Sequence, residues 1–440
     1  MHDSSDDKAT GEVNSAAKAS GRRAGRRRAS WRVRLLLLFF GLALGLIVAE
    51  IGLRLAGVAI RVPYVPNDYV GTVLQPHWSG WQNREGRALL RINSLGFRDE
   101  EHAREKPRDT VRILVLGDSY VEAAQVDLAD TFWKQLERRL NEQRAFGDRR
   151  CEVIAMGVSG WGTAQQLLAL RHYGLSFSPE YVLVAFLPAN DVRNNSAALE
   201  PEAIRPFFEF DADGELRFDE SYLNSPQAIH ARSTSTAIKV KLLSASRVLQ
   251  VAQLAKARLL SRDSHSAPKP AEETSDEETP ADETRAEETS REPLLEPGLD
   301  EAVFREPTDR RWREAWRLTE ELLVAIDRES AAAGAKCYVL TLTAAVQVDP
   351  DASVQRELAD RLGVDDLDYA PRRIQQLAED RQLAVIDLVA PLRTVAAKEQ
   401  TPLHGFANTQ LNTGHWNEAG HAAAAKVIAD RLAADWKVGN

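Results

Sequence analysis

Five short apolar runs, separated by polar stretches of helical periodicity, constrain the fold of this chain more than any other feature. The strand-like runs are Arg112–Leu116, Glu152–Met156, Tyr181–Phe186, Lys336–Thr341 and Leu383–Asp387. The helix-like segments are Thr131–Glu142, Ala164–His172, Arg310–Ala332, Pro371–Arg381 and Glu418–Trp436. Mostly apolar strands that alternate with amphipathic helices are typical of a parallel sheet with helices on both faces. The pattern predicts a three-layer α/β/α fold around a five-stranded parallel sheet.

An N-terminal apolar stretch precedes this alternation. Leu35–Ile60 follows eight basic residues between Lys18 and Arg34, a region without any acid. The uncharged run Leu35–Ala49 is short for a bilayer, which takes roughly 20 apolar residues, but extension past Glu50 reaches that length. Because no A-x-A site follows, we interpret the stretch as an uncleaved transmembrane anchor; a cleaved signal peptide and a buried helix are the alternatives. Arginines before the span favour a cytoplasmic N-terminus and place the remainder outside the inner membrane.

Composition divides the chain into segments. Residues 1–34 are predicted to form a disordered basic tail, 35–60 the anchor, 61–110 a loop-rich entry segment and 111–436 the α/β domain. A long insert at about residues 192–310 interrupts the alternation and contains helix-like Ser235–Leu260 and an acidic stretch, 264–292, predicted to be disordered. The formal net charge is −9, and the basic residues gather in the tail, so we exclude a nucleic-acid partner.

The sequence contains neither a disulfide framework nor a metal-ligand spacing. Cys151 and Cys337 each begin an apolar strand-like stretch, CEVIAMG and CYVLTLT, where a small buried thiol is the ordinary interpretation. No cluster of histidines, cysteines and carboxylates has the spacing of a zinc site. We therefore predict neither a metal nor another cofactor.

Small polar residues stand where the strand-like runs end. Gly117-Asp118-Ser119 ends the first run, Gly157 the second and Asn190-Asp191 the third, while His415 stands just before the last helix. In open α/β sheets, ligands bind at the carboxyl ends of the strands, so these side chains are expected to share one cleft. Each block alone is equally consistent with a turn or a helix cap. Asp118 and Asp191 are interpreted as holding turns through backbone N–H groups.

In their order, these blocks resemble those of the SGNH (GDSL-like) hydrolase superfamily. The anchor followed by NSLGFRD (Asn93–Asp99) also resembles its membrane-anchored bacterial members. The resemblance covers roughly Val111–Trp436 and implies a flavodoxin-like strand order, 2-1-3-4-5. In this order, two other strands lie between the strand of Cys151 and the strand of Cys337. The cysteines would then be too far apart for a disulfide, which implies two free thiols. The implied site residues are the nucleophile Ser119, the general base His415, the oxyanion-hole donors Gly157 and Asn190 with the Ser119 N–H, and the supporting residues Asp118 and Asp191.

The chain departs from the family pattern at the acid of the catalytic triad. The family usually places an aspartate two or three residues before the histidine, where this chain has Thr413 and Asn412. Either a neutral group orients His415 in a Ser-His dyad, or an acid from elsewhere does so, with Asp387 at a strand end as a candidate. Two further positions depart from the family pattern. Pro188 stands where the third block of the family has a glycine, and Ala155 stands where an asparagine is common before the glycine of the second block.

Two further histidines and two tryptophans lie in or near these blocks. His404 lies in a loop where it could line the cleft, whereas His421 falls at the start of the last helix and is interpreted as structural. Trp161 and Trp416 are consistent with lining an acyl or sugar pocket and equally with aromatic packing.

The resemblance implies a serine ester hydrolase with a Ser acyl-enzyme intermediate. The expected substrates are small acyl (acetyl) esters of cell-envelope glycans or lipids, met outside the cytoplasmic membrane to which the N-terminal helix anchors the protein. Two alternatives remain open at this point: an O-acyltransferase using the same residues, and a catalytically inactive relative that binds a glycan or a partner.

Overall fold

The computed structural model describes residues 30–56, 58, 63–201, 204–264 and 300–439. Most of the predicted N-terminal tail and nearly all of the acidic stretch 264–292 lie outside these residues. The chain divides into two compact units, Met1–Gly52 and Leu53–Asn440. Among the described residues, one long apolar helix begins at Trp31 and ends at Leu55, and none of its residues is buried. By length and composition it could cross a membrane, or serve as a signal sequence.

The described residues contain eleven strands and thirteen α-helices. The strands are β1 (Tyr64–Asn67), β2 (Gly71–Leu74), β3 (Ser79–Gln82), β4 (Ala88–Arg91), β5 (Thr110–Gly117), β6 (Arg150–Gly157), β7 (Tyr181–Phe186), β8 (Phe207–Phe210), β9 (Leu216–Asp219), β10 (Lys336–Thr341) and β11 (Val385–Asp387). The helices are α1 (Trp31–Leu55), α2 (Ser119–Glu122), α3 (Phe132–Glu142), α4 (Thr163–His172), α5 (Pro188–Asn194), α6 (Pro226–Ala231), α7 (Thr234–Ala245), α8 (Arg247–Ser264), α9 (Arg310–Ala332), α10 (Ala352–Leu362), α11 (Tyr369–Arg381), α12 (Val389–Glu399) and α13 (Glu418–Gly439).

A five-stranded parallel sheet forms the centre of the fold. Its strand order is β11-β10-β7-β5-β6, and all four neighbouring pairs are parallel. Counted along the chain, this order is 2-1-3-4-5, so both the predicted three-layer class and the implied strand order are confirmed. The order reverses at β5, where β6 lies on one side and β7 on the other. Ligand sites of open α/β sheets form at such a switch point, beyond the carboxyl ends of the strands.

Alternation along the strands creates two apolar cores, one on each face of the sheet. On β5, Ile113 and Val115 face one core, whereas Leu114 and Leu116 face the other. The first core is closed by α3, α12 and α13, and the second by α4, α9 and α11. Strands buried on both faces read as continuous apolar runs, which is why the sequence pattern located them. The last strand is shorter than predicted and begins at Val385.

The cysteines lie on β6 and β10, with β5 and β7 between them. Both are free and buried, as the strand order implied.

The entry segment is more regular than the sequence suggested, because it contains two antiparallel hairpins. Strands β1 and β2 pair in one, and β3 and β4 in the other. Four-residue strands carry too little periodicity to stand out in a sequence, so the two hairpins were not predicted within the loop-rich entry segment. The predicted helical segment Ser235–Leu260 is also divided, into α7 and α8, because Ser246 adopts an extended backbone conformation.

A charged cluster stabilises the amino end of the sheet, opposite to the carboxyl ends. His102 contacts Glu152 through Nδ1 at 2.7 Å and Asp99 through Nε2 at 3.1 Å. Arg112 Nε donates to the second oxygen of Glu152 at 2.6 Å. With both ring nitrogens facing carboxylates, His102 is held as an imidazolium. Burial lowers the pKa of His102, but the hydrogen bonds and charges of Asp99 and Glu152 outweigh it and raise the pKa to about 8.

We expect this cluster to make stability fall at alkaline pH. The folded-state pKa of His102 lies above the ordinary value of 6.5, so its contribution is complete below pH 6.5 and is lost as the pH rises through about 8. At about 1.4 kcal/mol per pKa unit, the loss amounts to about 2 kcal/mol. Urea unfolding followed by tryptophan fluorescence at pH 6 and pH 9 measures it. His102→Gln should abolish the difference, and His230→Gln, at an exposed position on α6, should not.

Candidate active site

Ser119 is the first residue of the short helix α2, directly after the central strand β5. Asp118 caps this helix, with its Oδ1 accepting from the Tyr120 N–H at 2.9 Å. The residues on either side of Ser119 are buried, whereas Ser119 itself is half-buried. The end of the strand thus presents one hydroxyl at the carboxyl edge of the sheet.

The NSLGFRD block fixes the other end of α2. Arg98 is 2% exposed, and its guanidinium donates to the carbonyl oxygens of Glu122, Ala123 and Val126, with the contact to Val126 at 2.5 Å. Helix ends leave carbonyl groups without helical partners, and a buried arginine is well suited to satisfy several of them. The entry segment therefore helps to position the helix that carries Ser119.

His415 meets Ser119 across the carboxyl edge of the sheet. Its Nε2 lies 2.9 Å from Ser119 Oγ, although the two residues are 296 positions apart in the chain. His415 stands in the loop before α13, where its carbonyl accepts from the Gly405 N–H at 3.0 Å. The pair that the sequence blocks indicated is therefore within hydrogen-bonding distance.

The acid beside His415 is Glu85, which was not among the residues singled out from the sequence. Glu85 Oε2 accepts from His415 Nδ1 at 2.7 Å, and Oε1 accepts from the His415 backbone N–H at 2.7 Å. Thr413 instead donates its hydroxyl to the Gln410 carbonyl. Asp387 is also not the partner, because its carboxylate accepts from backbone N–H groups at the start of α12. One carboxylate therefore fixes both the imidazole and the backbone that carries it.

Gly414 makes room for this carboxylate. A Cβ at Gly414 would lie 2.1 Å from Glu85 Oε1, and its φ of +71° falls in the left-handed region that favours glycine. The glycine directly before His415 is thus required by the approach of Glu85 from another part of the chain.

Glu85 lies at the turn of the β3–β4 hairpin, and Asn408 fastens that turn to the α/β domain. Asn408 Oδ1 accepts from the Gly86 N–H at 3.0 Å, while its Nδ2 donates to the carbonyls of Asn83 and Gly86 at 3.0 and 2.9 Å. A second tie joins Gln125 Nε2 to Glu85 Oε2 at 3.3 Å. The hairpin is therefore held against the two loops that carry the Ser119 and His415 blocks.

The electrostatics of the pair favour an ionised Glu85 beside a basic His415. Burial alone would lower the pKa of His415, but the hydrogen bond and negative charge of Glu85 raise it above the ordinary value. Burial would likewise raise the pKa of Glu85, and the contacts with His415 lower it on balance. The side chains are 28% and 22% exposed, so both partners remain accessible to solvent at one edge. A more basic imidazole is a better acceptor for the hydroxyl proton.

The two other predicted positions also lie at the carboxyl edge. Gly157 ends β6, and a Cβ there would lie 2.5 Å from the Cβ of Val121, so this strand end packs directly on α2. Asn190 lies in the first turn of α5, where its Nδ2 donates to Asp118 Oδ2 at 3.2 Å. Its Oδ1 accepts from Asn194 at 2.7 Å, so the two contacts together fix the orientation of the amide beside Asp118.

Asp118 and Asp191 hold turns, as the sequence indicated. Asp118 accepts from Tyr120 and Asn190, and Asp191 Oδ2 accepts from the Leu187 N–H at 3.2 Å. Burial raises the pKa of both carboxyls, and the neighbouring Asp118 raises that of Asp191 further. Neither contacts His415 through a hydrogen bond in the described structure.

A buried chain of hydrogen bonds supports the loop of His415. Trp416 Nε1 donates to Thr343 Oγ1 at 2.8 Å, Thr343 contacts His404 Nε2 at 2.9 Å, and His404 Nδ1 contacts the Gly414 carbonyl at 2.8 Å. Burial lowers the pKa of His404 to about 4, so its ring is neutral and one nitrogen accepts while the other donates. His404 and Trp416 therefore pack beneath the site rather than line a cleft.

The remaining two candidates separate in the structure. His421 is buried, and its Nδ1 accepts from the Phe132 N–H at 3.1 Å, which confirms the structural interpretation. Trp161 lines a cavity of about 270 Å³ together with Tyr64 and Arg205.

A larger cavity, of about 520 Å³, is lined by Glu85, Glu122 and Ser159. Tyr64 lines both cavities, so together they flank the site on the side of the entry segment. Glu122 is 2% exposed and accepts from Tyr64 OH at 3.2 Å and from the Ser159 N–H at 2.7 Å. Burial raises the pKa of its carboxyl. Glu122 thereby ties the loop after Gly157 to the helix of Ser119.

Sequence reasoning missed Glu85 because triad residues are brought together by the fold and not by the sequence. The signal in the sequence was indirect: no acid stands two or three residues before His415, and the polar turn WQNREGR (Trp81–Arg87) had no assigned function.

Comparison with solved structures finds several esterases and lipases. An acetyl xylan esterase is 12% identical, with 73% of this chain and 99% of that chain covered and a TM-score of 0.34. A lipase from a goat rumen metagenome is 13% identical, with 73% and 97% covered and a TM-score of 0.35. An acetylxylan esterase from Geobacillus stearothermophilus is 11% identical, with 73% and 94% covered and a TM-score of 0.35. Neither a protein-family model nor a curated protein matches the sequence.

Proposed function

We propose that this protein is a serine ester hydrolase of the SGNH type that forms an acyl intermediate on Ser119. The observation that carries the proposal is the continuous hydrogen-bonded path from Glu85 through His415 to Ser119, with contacts of 2.7 and 2.9 Å. A carboxylate, an imidazole and a hydroxyl in this order are the parts that activate a serine nucleophile. The acid missing before His415 is one reason to consider an inactive binding protein, and Glu85 supports the hydrolase because it supplies a carboxylate at that place.

The first half of the reaction forms the acyl-enzyme. Ser119 Oγ attacks the ester carbonyl carbon, and His415 Nε2 accepts the hydroxyl proton. The negative charge that develops on the carbonyl oxygen would be met by the N–H groups of Ser119 and Gly157 and by the Asn190 amide. As the tetrahedral intermediate collapses, His415 returns the proton to the departing alcohol, and Glu85 stabilises the transient imidazolium.

The second half releases the acyl group. A water molecule enters the space left by the alcohol, His415 takes one of its protons, and the hydroxide attacks the acyl carbon. The carboxylic acid then departs from Ser119 Oγ, which recovers its proton from His415.

The proposed location is the outer face of the cytoplasmic membrane. Helix α1 is 25 residues long, enough to span a bilayer, and it follows the arginine-rich stretch. An anchored domain on that side would meet acyl (acetyl) esters of cell-envelope glycans or lipids, which are the substrates that we propose. Water enters the second half-reaction in the hydrolase that we propose, whereas a sugar hydroxyl in its place would make the enzyme an O-acyltransferase.

Covalent labelling tests the proposal directly. A fluorophosphonate reacts with an activated serine and not with an ordinary hydroxyl, so the native protein should gain one adduct and peptide mapping should place it on Ser119. Turnover of 4-nitrophenyl acetate should disappear in step with labelling. A heat-denatured sample, in which the path from Glu85 to Ser119 is broken, is the matched control and should remain unlabelled. A native protein that neither reacts nor turns over the ester would contradict the proposal.

Replacement of the proposed oxyanion donor should slow the chemical step. Asn190→Ala removes the amide that Asn194 orients, and loss of one such donor typically lowers kcat by about 10²–10³-fold. Because the donor meets charge that exists only in the transition state, KM should change little. Steady-state kinetics of the variant measure both constants. Asn224→Ala, at an exposed position outside the site, is the control, and equal kcat in the two variants would remove Asn190 from the oxyanion hole.

A further inference from the structure

The pair of helices α7 and α8 lies in a stretch of unusual charge. No aspartate or glutamate occurs from Ser221 to Arg262, although the whole chain carries a formal net charge of −9. The same stretch contains seven basic residues: Arg232, Lys239, Lys241, Arg247, Lys256, Arg258 and Arg262. A cluster of this kind attracts a negatively charged surface.

The two helices also expose large apolar side chains. Helix α7 buries none of its residues, and the exposed side chains are Ile238, Leu242, Leu249, Val251 and Leu254, between 38% and 57% accessible. Ile238, Leu242 and Leu249 line an open groove of about 660 Å³ between the helices, together with Lys239 and Lys256. Exposed apolar groups rimmed by cations mark an interaction surface.

The corner between these helices is joined to the end of the apolar helix α1. Arg54, in the last turn of α1, donates its Nη2 to the Ala245 carbonyl at 2.7 Å. If α1 spans the bilayer, Arg54 lies at the level of the lipid headgroups, because a charged side chain near the end of a span reaches for the interface. Ala245 then lies at that level too.

We propose that α7 and α8 form a second attachment to the membrane, lying in the headgroup region and binding anionic lipids. The inference rests on the membrane location in the proposed function and is independent of the ester chemistry. The exposed apolar side chains enter the upper acyl region, while the lysines that line the same groove meet phosphate groups. Each basic residue near such a surface strengthens binding about fivefold.

Two other partners would match the surface of α7 and α8 less well than a lipid bilayer. A second copy of the chain would bring two sets of basic residues together without a compensating acid. The acidic stretch 264–292 would neutralise the charge, but from His265 to Glu292 it contains no Leu, Ile, Val or Phe to cover the apolar side chains. A bilayer with anionic headgroups supplies both the charge and the apolar environment.

An environment-sensitive fluorophore can test the attachment in the full chain. The native cysteines are 1% and 4% exposed, so a cysteine introduced by Leu242→Cys takes the label alone. The labelled protein is reconstituted into vesicles of phosphatidylcholine, with and without phosphatidylglycerol, that also contain a nitroxide lipid as quencher. Val354→Cys, at an exposed apolar position on α10, is the matched control.

The expected result is a blue-shifted emission and quenching by the nitroxide lipid at position 242, stronger with phosphatidylglycerol, and neither effect at position 354. Lys239→Gln should lower the ratio of quenched to unquenched label about fivefold in anionic vesicles, and adding Lys241→Gln should lower it about fivefold again. Emission at position 242 equal to that at 354 would overturn the inference. A blue shift without lipid quenching would overturn it as well, in favour of a protein partner.

The same vesicles distinguish failure of this inference from failure of the ester chemistry. Turnover of 4-nitrophenyl acetate should be equal in the lysine variants and in the native protein, because none of these residues is near the proposed site. Quenching without turnover would leave the attachment standing and remove the hydrolase. Loss of the protein from the vesicles on flotation would remove the anchor, and this inference with it.

Discussion

Replacement of Ser119 by alanine is expected to lower kcat/KM for 4-nitrophenyl acetate by about 10⁴–10⁶-fold, because it removes the hydroxyl that contacts His415 Nε2. The hydroxyl accounts for one half-buried hydrogen bond, the 2.9 Å contact with His415. Its removal should therefore change the free energy of unfolding by only about 1 kcal/mol. Initial rates and thermal unfolding of the same preparation measure the two effects separately.

The non-additivity of the site provides a stricter test of Ser119. Residues that act as one unit lose nearly the whole effect when any one of them is removed. Ser119→Ala combined with His415→Ala should thus be about as slow as Ser119→Ala alone. Ser353→Ala, on the exposed surface of α10, should leave the rate unchanged. If the double variant were slower by the product of the two single effects, the two side chains would not act in one step.

Replacement of Glu85 by glutamine is expected to lower kcat by about 10⁴-fold, even though glutamine has nearly the same size. Both carboxylate oxygens accept from His415, one from Nδ1 and one from the backbone N–H. A glutamine has only one oxygen to offer. Its NH₂ group must face either the backbone N–H, where two donors oppose each other, or Nδ1, where it stabilises the tautomer that cannot take the Ser119 proton.

The pH dependence of Glu85→Gln distinguishes a catalytic effect from a general loss of structure. His415 acts as a base only when deprotonated, so activity is lost as the pH falls through its pKa. Glu85 holds that pKa above the ordinary value, and the residual activity of the variant should consequently extend to lower pH than that of the native protein. The pH profile of kcat/KM shows this shift.

Two controls accompany the Glu85 variant. Glu85→Asp keeps the charge on a shorter side chain and should recover part of both the rate and the pH profile. Glu215→Gln, at an exposed position between β8 and β9, should behave as the native protein. An unchanged acid limb in Glu85→Gln would show that another group sets the pKa of His415.

The sequence predicted the α/β domain well because its strands are buried on both faces. The runs at β5, β6, β7 and β10 are almost uninterrupted apolar stretches. This pattern can be recognised in the sequence without any knowledge of tertiary contacts. Helices such as α3 and α9 bury one face against the sheet, and they therefore carry strong amphipathic patterns. The strands β1 to β4 have only four residues each, too few to show a periodicity, so they could not be distinguished from loops.

The sequence predicted the site residues that follow strand ends. It did not predict the residues that contacts between distant segments bring to the site. Ser119 and Asn190 follow parallel strands, and topology alone brings such positions together. Glu85 reaches His415 only because Asn408 fastens a distant hairpin turn, and no periodicity encodes that contact. The Arg98 interaction with α2 was hidden for the same reason.

The placement of Glu85 has a practical consequence for anyone who expresses fragments of this protein. A fragment that starts at Val111 would retain all five strands of the parallel sheet, along with the serine and the histidine, and would look complete by its motifs. It would nevertheless lack the carboxylate. The smallest fragment that can form the complete path from Glu85 through His415 to Ser119 must begin upstream of the β3–β4 hairpin.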